Sequence, residues 1–581
     1  MKRILILLLV LSVVGINAQT VKLKIIETTD VHGSVFPYDF KNDKEKNGSL
    51  AQVHTYVNEE RAKEDQHVLL IDNGDILQGT PLVYYYNFEK TDVPHVYADV
   101  MNYMKYDVGT VGNHDIETGH PVYDKFRTEI DFPWLAANAI DTKTGKPYFE
   151  PYKILEVEGI KIAVIGLITP HIPNWLPEKI WEGIEFEDMI ETAKKYVDLI
   201  KQNENPDLVI GLFHSGGDYN YNEQDADTYK NENASQLIAK RVIGFDIIYV
   251  GHDHKIWNKK VENSDGDSVL FLGASSSARN TAVANVLLTK ENNNWVSECS
   301  GKIVEMSNYK PDSVFVEKFK NSFKTVREYV NKPIGKLTKD ISTIDAILGP
   351  SEFVDLIHTI QLELTKADVS FSAPLSFNTT LNKGDIYVRD MFKLYKYENL
   401  LYTMELTGKE IKDYLEYTYF LWFSKMNNAD DHLLKYVKDE NGEIKYSERS
   451  KAPMLDARFY NFDCAAGIDY TVDLSKEPGK RVSIISLSTG KPFDENVKYK
   501  VALNSYRGNG GGGHLIKGAG IPHEELSKRI ITSTEKDLRY FMMEWIKDKG
   551  VVNPALLNNW KVIPEDWYKK AREKDYKILF E

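Results

Sequence analysis

Short apolar runs recur through the first 255 residues: VKLKII, HVLLI, YDVGTV, IKIAVIGLI, DLVIGL and DIIYV. They are rich in Val, Ile and Leu with little polar interruption, the pattern of strands buried on both faces of a sheet. Between them, the stretches from Gly48 to Asp65 and from Phe186 to Asn203 space their apolar residues as amphipathic helices do. The later runs SVLFLGASS, NTAVANVLLT and WVSECSGKIVEM predict a β-rich return that closes a second sheet. Two mixed sheets with flanking helices make an αββα sandwich over residues 19–306, so the fold class is α/β (α+β).

From Asp312 to Asn331 an apolar stripe of Val314, Phe315, Phe319, Phe323 and Val326 faces lysines and glutamates. Asp312-Ser313 can cap the start of this helix, and Pro333-Ile334-Gly335 ends it. Residues 307–335 therefore read as a linker helix, either a rigid connector or a core helix of one half. A second α/β domain is expected over 336–562. It has a helix from Glu352, the strand ADVSFSA, a helix from Gly408 to Tyr417, and the strands GIDYTVDL and RVSIISL. The tail, 563–581, reads as a short packed helix. The polar insert from Asn427 to Lys451 reads as a solvated loop or hairpin.

A chain of 581 residues exceeds what one core normally organises, consistent with two large domains. Its net charge of −14 disfavours nucleic-acid polymers and anionic membranes as partners, but not small anions held locally. The amino terminus carries Lys2 and Arg3, an apolar Ile4–Val14 and the small-residue site Ile16-Asn17-Ala18, the pattern of an export signal cleaved near Ala18 (residues 1–18). A periplasmic or secreted location follows, with no membrane anchor expected. The two cysteines, Cys299 and Cys464, fall in different predicted domains and read as free thiols rather than a bridge.

The chemistry lies where the strands end. The runs lead into TTDVHG (Asp30, His32), NGDILQG (Asp75, Gln78), GNHD (Asn113, His114, Asp115), FHSGG (His214) and GHDH (His252, His254), whereas IKIAVIGLI ends in Thr169. The carboxyl ends of strands are where an α/β sheet places its active site. An Asp or Asn at one strand end is usually a turn former, but ordered Asp, Asn and His across five ends form a donor set suited to Zn, Mn, Fe or Co. Two divalent ions about 3.5–4 Å apart need a shared carboxylate, and Asp75, alone in its Gly-flanked turn, is the natural bridge. One ion takes Asp30, His32 and a His of GHDH; the other takes Asn113, His214 and the remaining His. Such a pair activates water and clamps phosphoryl oxygens, which points to phosphoester hydrolysis.

At these residues the chain resembles the calcineurin-like metallophosphoesterases, and more narrowly the secreted 5'-nucleotidase and 2',3'-cyclic-nucleotide phosphodiesterase/3'-nucleotidase family. The resemblance covers nearly the whole mature chain and is stronger in the first half. It implies that Asp30, His32, Asp75 and His254 hold one metal and Asp75, Asn113, His214 and His252 the other. It implies that His114 is the catalytic histidine, oriented by an acidic partner at Glu117. Many 5'-nucleotidases carry Gln where this chain has His254 and Asp where it has Glu117; His at the first position resembles the cyclic-phosphodiesterase branch.

In the second half, VALNSYRGNGGGGHL holds Gly510 to Gly513, where glycines permit positive φ and close approach to a ligand or simply form a turn. The resemblance implies that two aromatics sandwich a nucleobase, mapping to Tyr506 and to Phe462 in YNFDCAAGIDY, with Gly511 beside them. A core aromatic is the alternative for Phe462. Where 5'-nucleotidases carry an Arg-containing Gly-rich string, this chain has Ser372-Ala373-Pro374-Leu375-Ser376, again resembling the cyclic-phosphodiesterase branch. Arg389 and Arg507 are candidate anion contacts, with ordinary surface arginines as the alternative. The expected activity is hydrolysis of nucleotides to nucleosides and phosphate, of the 2',3'-cyclic-nucleotide phosphodiesterase/3'-nucleotidase type, with a 5'-nucleotidase or UDP-sugar hydrolase as the nearest alternative. A nucleotide-binding protein without catalysis, or a hydrolase of another ester, would be readings of other classes.

Overall fold

The computed structural model describes residues 19–292, 294–447 and 451–581. The export-signal pattern of residues 1–18 lies outside the described residues. No helix among those described is long and apolar enough to cross a membrane.

The first half is built on two six-stranded sheets. Thr20–Thr28, His67–Asp72, Val108–Thr110 and Trp134–Leu135 run parallel and side by side in the first. In the second, Ile160–Ile168, Leu208–His214, Ile247–Val250 and Ser268–Gly273 run parallel between two antiparallel edge strands. Val, Ile and Leu side chains from the facing sides, among them Ile25, Ile71, Val164, Ile210 and Leu272, form the core between the sheets. Helices Leu50–Arg61 and Met189–Asn203 cover the outer faces; Ser49 caps the first and Asp188 the second through side-chain oxygens that accept main-chain N–H groups.

The β-rich return divides in a way its pattern did not show. Ser268–Gly273 joins the second sheet, as expected. The hairpin Asn280–Glu291/Asn294–Glu305 instead pairs antiparallel with Thr20–Thr28 and forms the edge of the first sheet. Alternation along a strand reports which faces are buried, not which neighbour supplies the hydrogen bonds.

The predicted linker helix is two, Ser313–Lys318 and Lys320–Val330, joined at Phe319, which leaves helical geometry (φ −99°, ψ 11°). Asp312 caps the first through N–H groups of Val314 and Phe315. The pair packs on the first half: Phe323 meets the rings of Phe36, Tyr38 and Phe40, and Tyr329 meets Tyr85.

The second half centres on a five-stranded mixed sheet in the order Cys464–Ala466, Val369–Ser372, Lys498–Asn504, Leu400–Thr407 and Ile530–Asp537. Helices Glu352–Thr365 and Gly408–Trp422 pack beside it. The insert after Asn427 forms bridges between Tyr436 and Leu455 and between Lys438 and Ile444, an irregular hairpin. The tail helix, Glu565–Phe580, is integral to this half. Its Asp575 is fully buried and accepts from His432 and from the main chain of Leu434. Cys299 and Cys464 are free, the first half-buried and the second buried.

Candidate active site

The parallel register sets Thr28 opposite Asp72, so the loops beyond these two strands leave side by side. They are bonded to each other: Asp30 N–H donates to Gly74 O and His32 N–H to Asp75 O, each at 2.9 Å. The next strand delivers Gly112 to Asp115. The buried Asp115 carboxylate accepts the main-chain N–H groups of Asp75, Ile76 and Leu77 at 2.9 Å and of Gly112 at 2.8 Å. It thus ties two loops into one rigid floor. From the second sheet, Leu208–His214 supplies His214 at its last position, and its parallel neighbour Ile247–Val250 leads into His252 and His254.

These ends bring two donor groups together. The ligand atoms of Asp30, His32, Asp75 and His254 all lie within 4.8 Å of one another. His32 Nε2 is 3.0 Å from His254 Nε2, which is 3.3 Å from Asp30 Oδ1. In the second group, Asn113 Oδ1 is 3.2 Å from His214 Nε2 and 2.8 Å from His252 Nδ1, and Asp75 Oδ2 is 3.1 Å from His214 Nε2. Asp75 alone belongs to both. The outward-facing nitrogens are engaged as well: His32 Nδ1 meets Gln78 O at 3.0 Å, His214 Nδ1 meets Asn73 O at 2.5 Å, and His252 Nε2 meets Glu232 Oε1 at 3.2 Å. An imidazole that donates its outer N–H keeps a lone pair on the inner nitrogen, as a metal ligand must. Carboxylates, imidazoles and an amide oxygen converging in two adjoining sets fit two divalent cations of the Zn, Mn, Fe and Co type.

Burial works against charge here, and neighbouring groups decide the outcome. Burial favours protonated Asp30, but the charges of His254 and His214 hold its carboxyl down to about 2. Asp75 is likewise held well below the usual range against burial, chiefly by His214 and His114. Burial and the His254 charge push His32 down to about 3, leaving it neutral and able to coordinate. The backbone is also constrained. Asp30, His32, Asp75, His252 and His254 have φ of 50°, 49°, 59°, 74° and 56°, a region costly for a residue with a side chain.

His114 stands beside this centre. Its N–H donates to Asp75 Oδ1 at 2.8 Å, and its Nδ1 is hydrogen-bonded to Glu117. Burial opposes a charge on His114, yet Asp75 and Glu117 lift it to about 9. Asn113, His114, Glu117 and His252 open onto a cavity of about 820 Å³, whose other walls include Tyr397, Arg458, Tyr460, Tyr506 and Gly511 from the second half.

The family model for calcineurin-like phosphoesterases matches residues 23–256, and that for the 5'-nucleotidase C-terminal domain matches residues 333–517. The chain is a calcineurin-like metallophosphoesterase with a 5'-nucleotidase C-terminal domain. It is therefore a metal-dependent hydrolase. It is 28% identical, over 97% of its length, to the trifunctional nucleotide phosphoesterase protein YfkN of Bacillus subtilis, of which it spans only 40%. It is also 28% identical, over 96% of its length, to the 2',3'-cyclic-nucleotide 2'-phosphodiesterase/3'-nucleotidase of Salmonella typhimurium, covering 91% of that protein. Its fold is similar to that of a putative 5'-nucleotidase from Staphylococcus aureus (TM-score 0.74, 21% identity, 93% of this chain and 99% of that one).

The structure brings the seven expected metal-type residues of this metallophosphoesterase to one place and sets His114 and Glu117 next to them. Tyr506 and Gly511 also line the cavity, and a side chain at Gly511 would collide with the Tyr506 ring, 2.5 Å away. Three expectations in the second half need correction. Phe462 is a core residue, 1% exposed and stacked on Trp422 with ring centroids 5.1 Å apart. The turn Phe459–Asn461 directs Tyr460, two residues earlier, into the cavity in its place. Arg507 is buried and fully engaged. Its guanidinium binds Asp463 at 2.7 Å and the carbonyls of Tyr460 and Gly511, so it braces the glycine turn rather than offering a free cation. Arg389 stands outside the cavity, bonded to Asn331 and over the ring of Tyr387. Two exposed cations line the cavity: Lys517, which is paired with Glu223, and Arg458.

Asp115 was named within GNHD but without its role as the acceptor that ties the loops, and three residues went unread in the sequence: Glu232, Trp175 and Arg458. Trp175 stacks on His252 with centroids 5.5 Å apart and planes at 22°. Those three have no local signature, because a lone Glu, Trp or Arg is common in any fold. Phe462→Ala should cost about 3–5 kcal/mol of stability, as for other buried aromatics, in a chemical denaturation curve, whereas Tyr460→Ala should leave the midpoint nearly unchanged.

Proposed function

We propose that the chain is an exported two-metal phosphoesterase that hydrolyses nucleotides to nucleosides and phosphate, of the 2',3'-cyclic-nucleotide phosphodiesterase/3'-nucleotidase type. One observation carries this reading: His114 and the donors Asn113 and His252 share a single cavity, large enough for a nucleotide, with Tyr460 and Tyr506. The export component rests on the amino-terminal pattern alone.

In this reading Asp30, His32, Asp75 and His254 hold one divalent ion, and Asp75, Asn113, His214 and His252 the other, each Zn, Mn, Co or Fe. Bound there, the ions supply Lewis-acid charge to the phosphoryl oxygens and an activated water molecule. The chain's own groups do the rest. Glu117 accepts from His114 Nδ1 and so fixes the ring, leaving Nε2 to donate to a phosphoryl oxygen as negative charge builds there. Glu232 and the Trp175 ring hold His252 in register from its far side. Tyr460 and Tyr506 stack on the base, and Arg458 contributes positive charge near the sugar phosphate.

The choice within the family rests on three features: His254 in the last ligand position, the arginine-free string from Ser372 to Ser376, and the Salmonella relative, which aligns along nearly all of both chains. A hydrolysis panel of 5'-, 3'- and 2',3'-cyclic nucleotides and a UDP-sugar, with Mn, Zn and Co added separately, tests it. The cyclic and 3'-nucleotides should be turned over fastest. Faster 5'-nucleotide or UDP-sugar hydrolysis would make the protein a 5'-nucleotidase, and binding without turnover under every metal would make it a non-catalytic nucleotide-binding protein.

Asp75→Ala should lower kcat well beyond tenfold, about 1.4 kcal/mol, and should strip metal from the purified protein in elemental analysis while circular dichroism stays unchanged. His114→Asn should lower kcat by about 10²–10⁴-fold with little change in KM; Glu117→Gln should give a smaller loss in the same parameter. Replacing Tyr506 or Tyr460 by Ala should raise KM for nucleotides by the equivalent of about 1–3 kcal/mol. Turnover of a small aryl phosphate should stay near wild type; equal damage to both substrates would mean that the rings are structural.

A further inference from the structure

A second cavity, of about 400 Å³, lies against the wall of the first. Leu375 lines both. Two adjacent pairs straddle the same wall: Tyr397 and Tyr460 face the larger cavity, while their chain neighbours Lys396 and Phe459 face the smaller.

The smaller cavity has its own chemistry. In a chain of net charge −14 its lining contains three lysines and no carboxylate. Lys393 is paired with Asp390 at 3.1 Å. The other two ammonium groups have no ion-pair or hydrogen-bond partner among the described residues. Lys41 bonds only through its main-chain N–H, to Asp39. Lys396 offers only its carbonyl, to Arg539, and its ammonium sits 5.2 Å from the ring of Tyr397. Burial, followed by the like charges of Lys396 and Arg539, holds the Lys41 ammonium down to about 8. Ser376 and Asn378 turn polar side chains to the same recess and have no hydrogen-bond partner among the described residues. Two like charges thus share one concavity with open hydrogen-bonding groups, and an anion there would relieve their repulsion.

We propose that this recess binds a phosphate-bearing anion, with Lys41 and Lys396 as its charge partners and Ser376 and Asn378 as hydrogen-bond donors. Lysines bind phosphate as point charges, and no arginine lines the cavity. Two sources share this chemistry: the second phosphate of a substrate that reaches past Leu375, and orthophosphate released next door. The choice of source rests on the nucleotide reading of the larger cavity; the binding itself does not.

The test uses the metal-loaded full chain and orthophosphate as the probe, followed by titration calorimetry. The wild type should show a phosphate site that Lys41→Gln/Lys396→Gln weakens by about tenfold or more, while aryl phosphate turnover stays unchanged. Lys396→Glu, at an exposed position, is the second variant and should abolish that site. A rise in KM for a nucleoside bisphosphate but not for a monophosphate identifies the substrate's second phosphate as the occupant. A weaker product inhibition with both KM values unchanged identifies orthophosphate. If both variants bind orthophosphate as the wild type does, with KM and product inhibition unmoved, the recess is no anion site. That result would leave the nucleotide reading standing, just as failure of the nucleotide panel would leave the phosphate titration to decide on its own.

Discussion

Buried negative charge is the constraint around which the first half is built. Glu27, Asp30, Asp72, Asp75 and Asp115 are each at most 1% exposed and lie beneath the same loops. Among the described residues, the ion-pair partners of Asp30 and Asp75 are His254 and His214, and no lysine or arginine approaches. Three of the five respond by favouring protonation: burial pushes Glu27 and Asp72 well up, and burial with the Asp75 charge lifts Asp115 to about 6. Only the two carboxylates that face imidazoles are held below their usual range. A floor of this kind calls for cations from outside the protein, and the inward-facing donors offer them places.

The same floor explains why strained backbone persists. Left-handed geometry at five ligand residues is held by bonds made elsewhere: Asp115 grips the Asp75 loop, and the Asp30 and Asp75 loops grip each other. Because the sheet register fixes where each loop starts, a shift of one residue in any parallel strand would move a ligand off the centre. Rigidity of the sandwich is thus converted directly into placement of donor atoms.

The metal-type residues were legible because each follows an apolar strand, a local pattern that places a side chain without knowledge of the rest of the fold. What depended on long-range packing was not. The hairpin 280–305 read correctly as strands, yet its partner lies more than 250 residues away in the sequence, at Thr20–Thr28. The choice between Phe462 and Tyr460 turns on a single short turn and on whether Trp422 waits on one side. Arg507 has the composition of an anion ligand, and only the buried Asp463 shows that its charge is already matched. Glu232 acts through His252, so nothing in its own neighbourhood announces it, and Asp115, though inside GNHD, shows its role only once the Asp75 loop is folded against it.

The two thiols have a further consequence. Cys299, half-buried, is pushed up to about 12 mainly by burial, and Cys464, fully buried beside His358, is pushed well above its usual value for the same reason. Neither forms appreciable thiolate near neutral pH, so neither readily attacks a disulfide or captures a soft metal. With both thiols free and held protonated, no disulfide contributes to holding the two halves together, and that task falls to side-chain packing and hydrogen bonds alone.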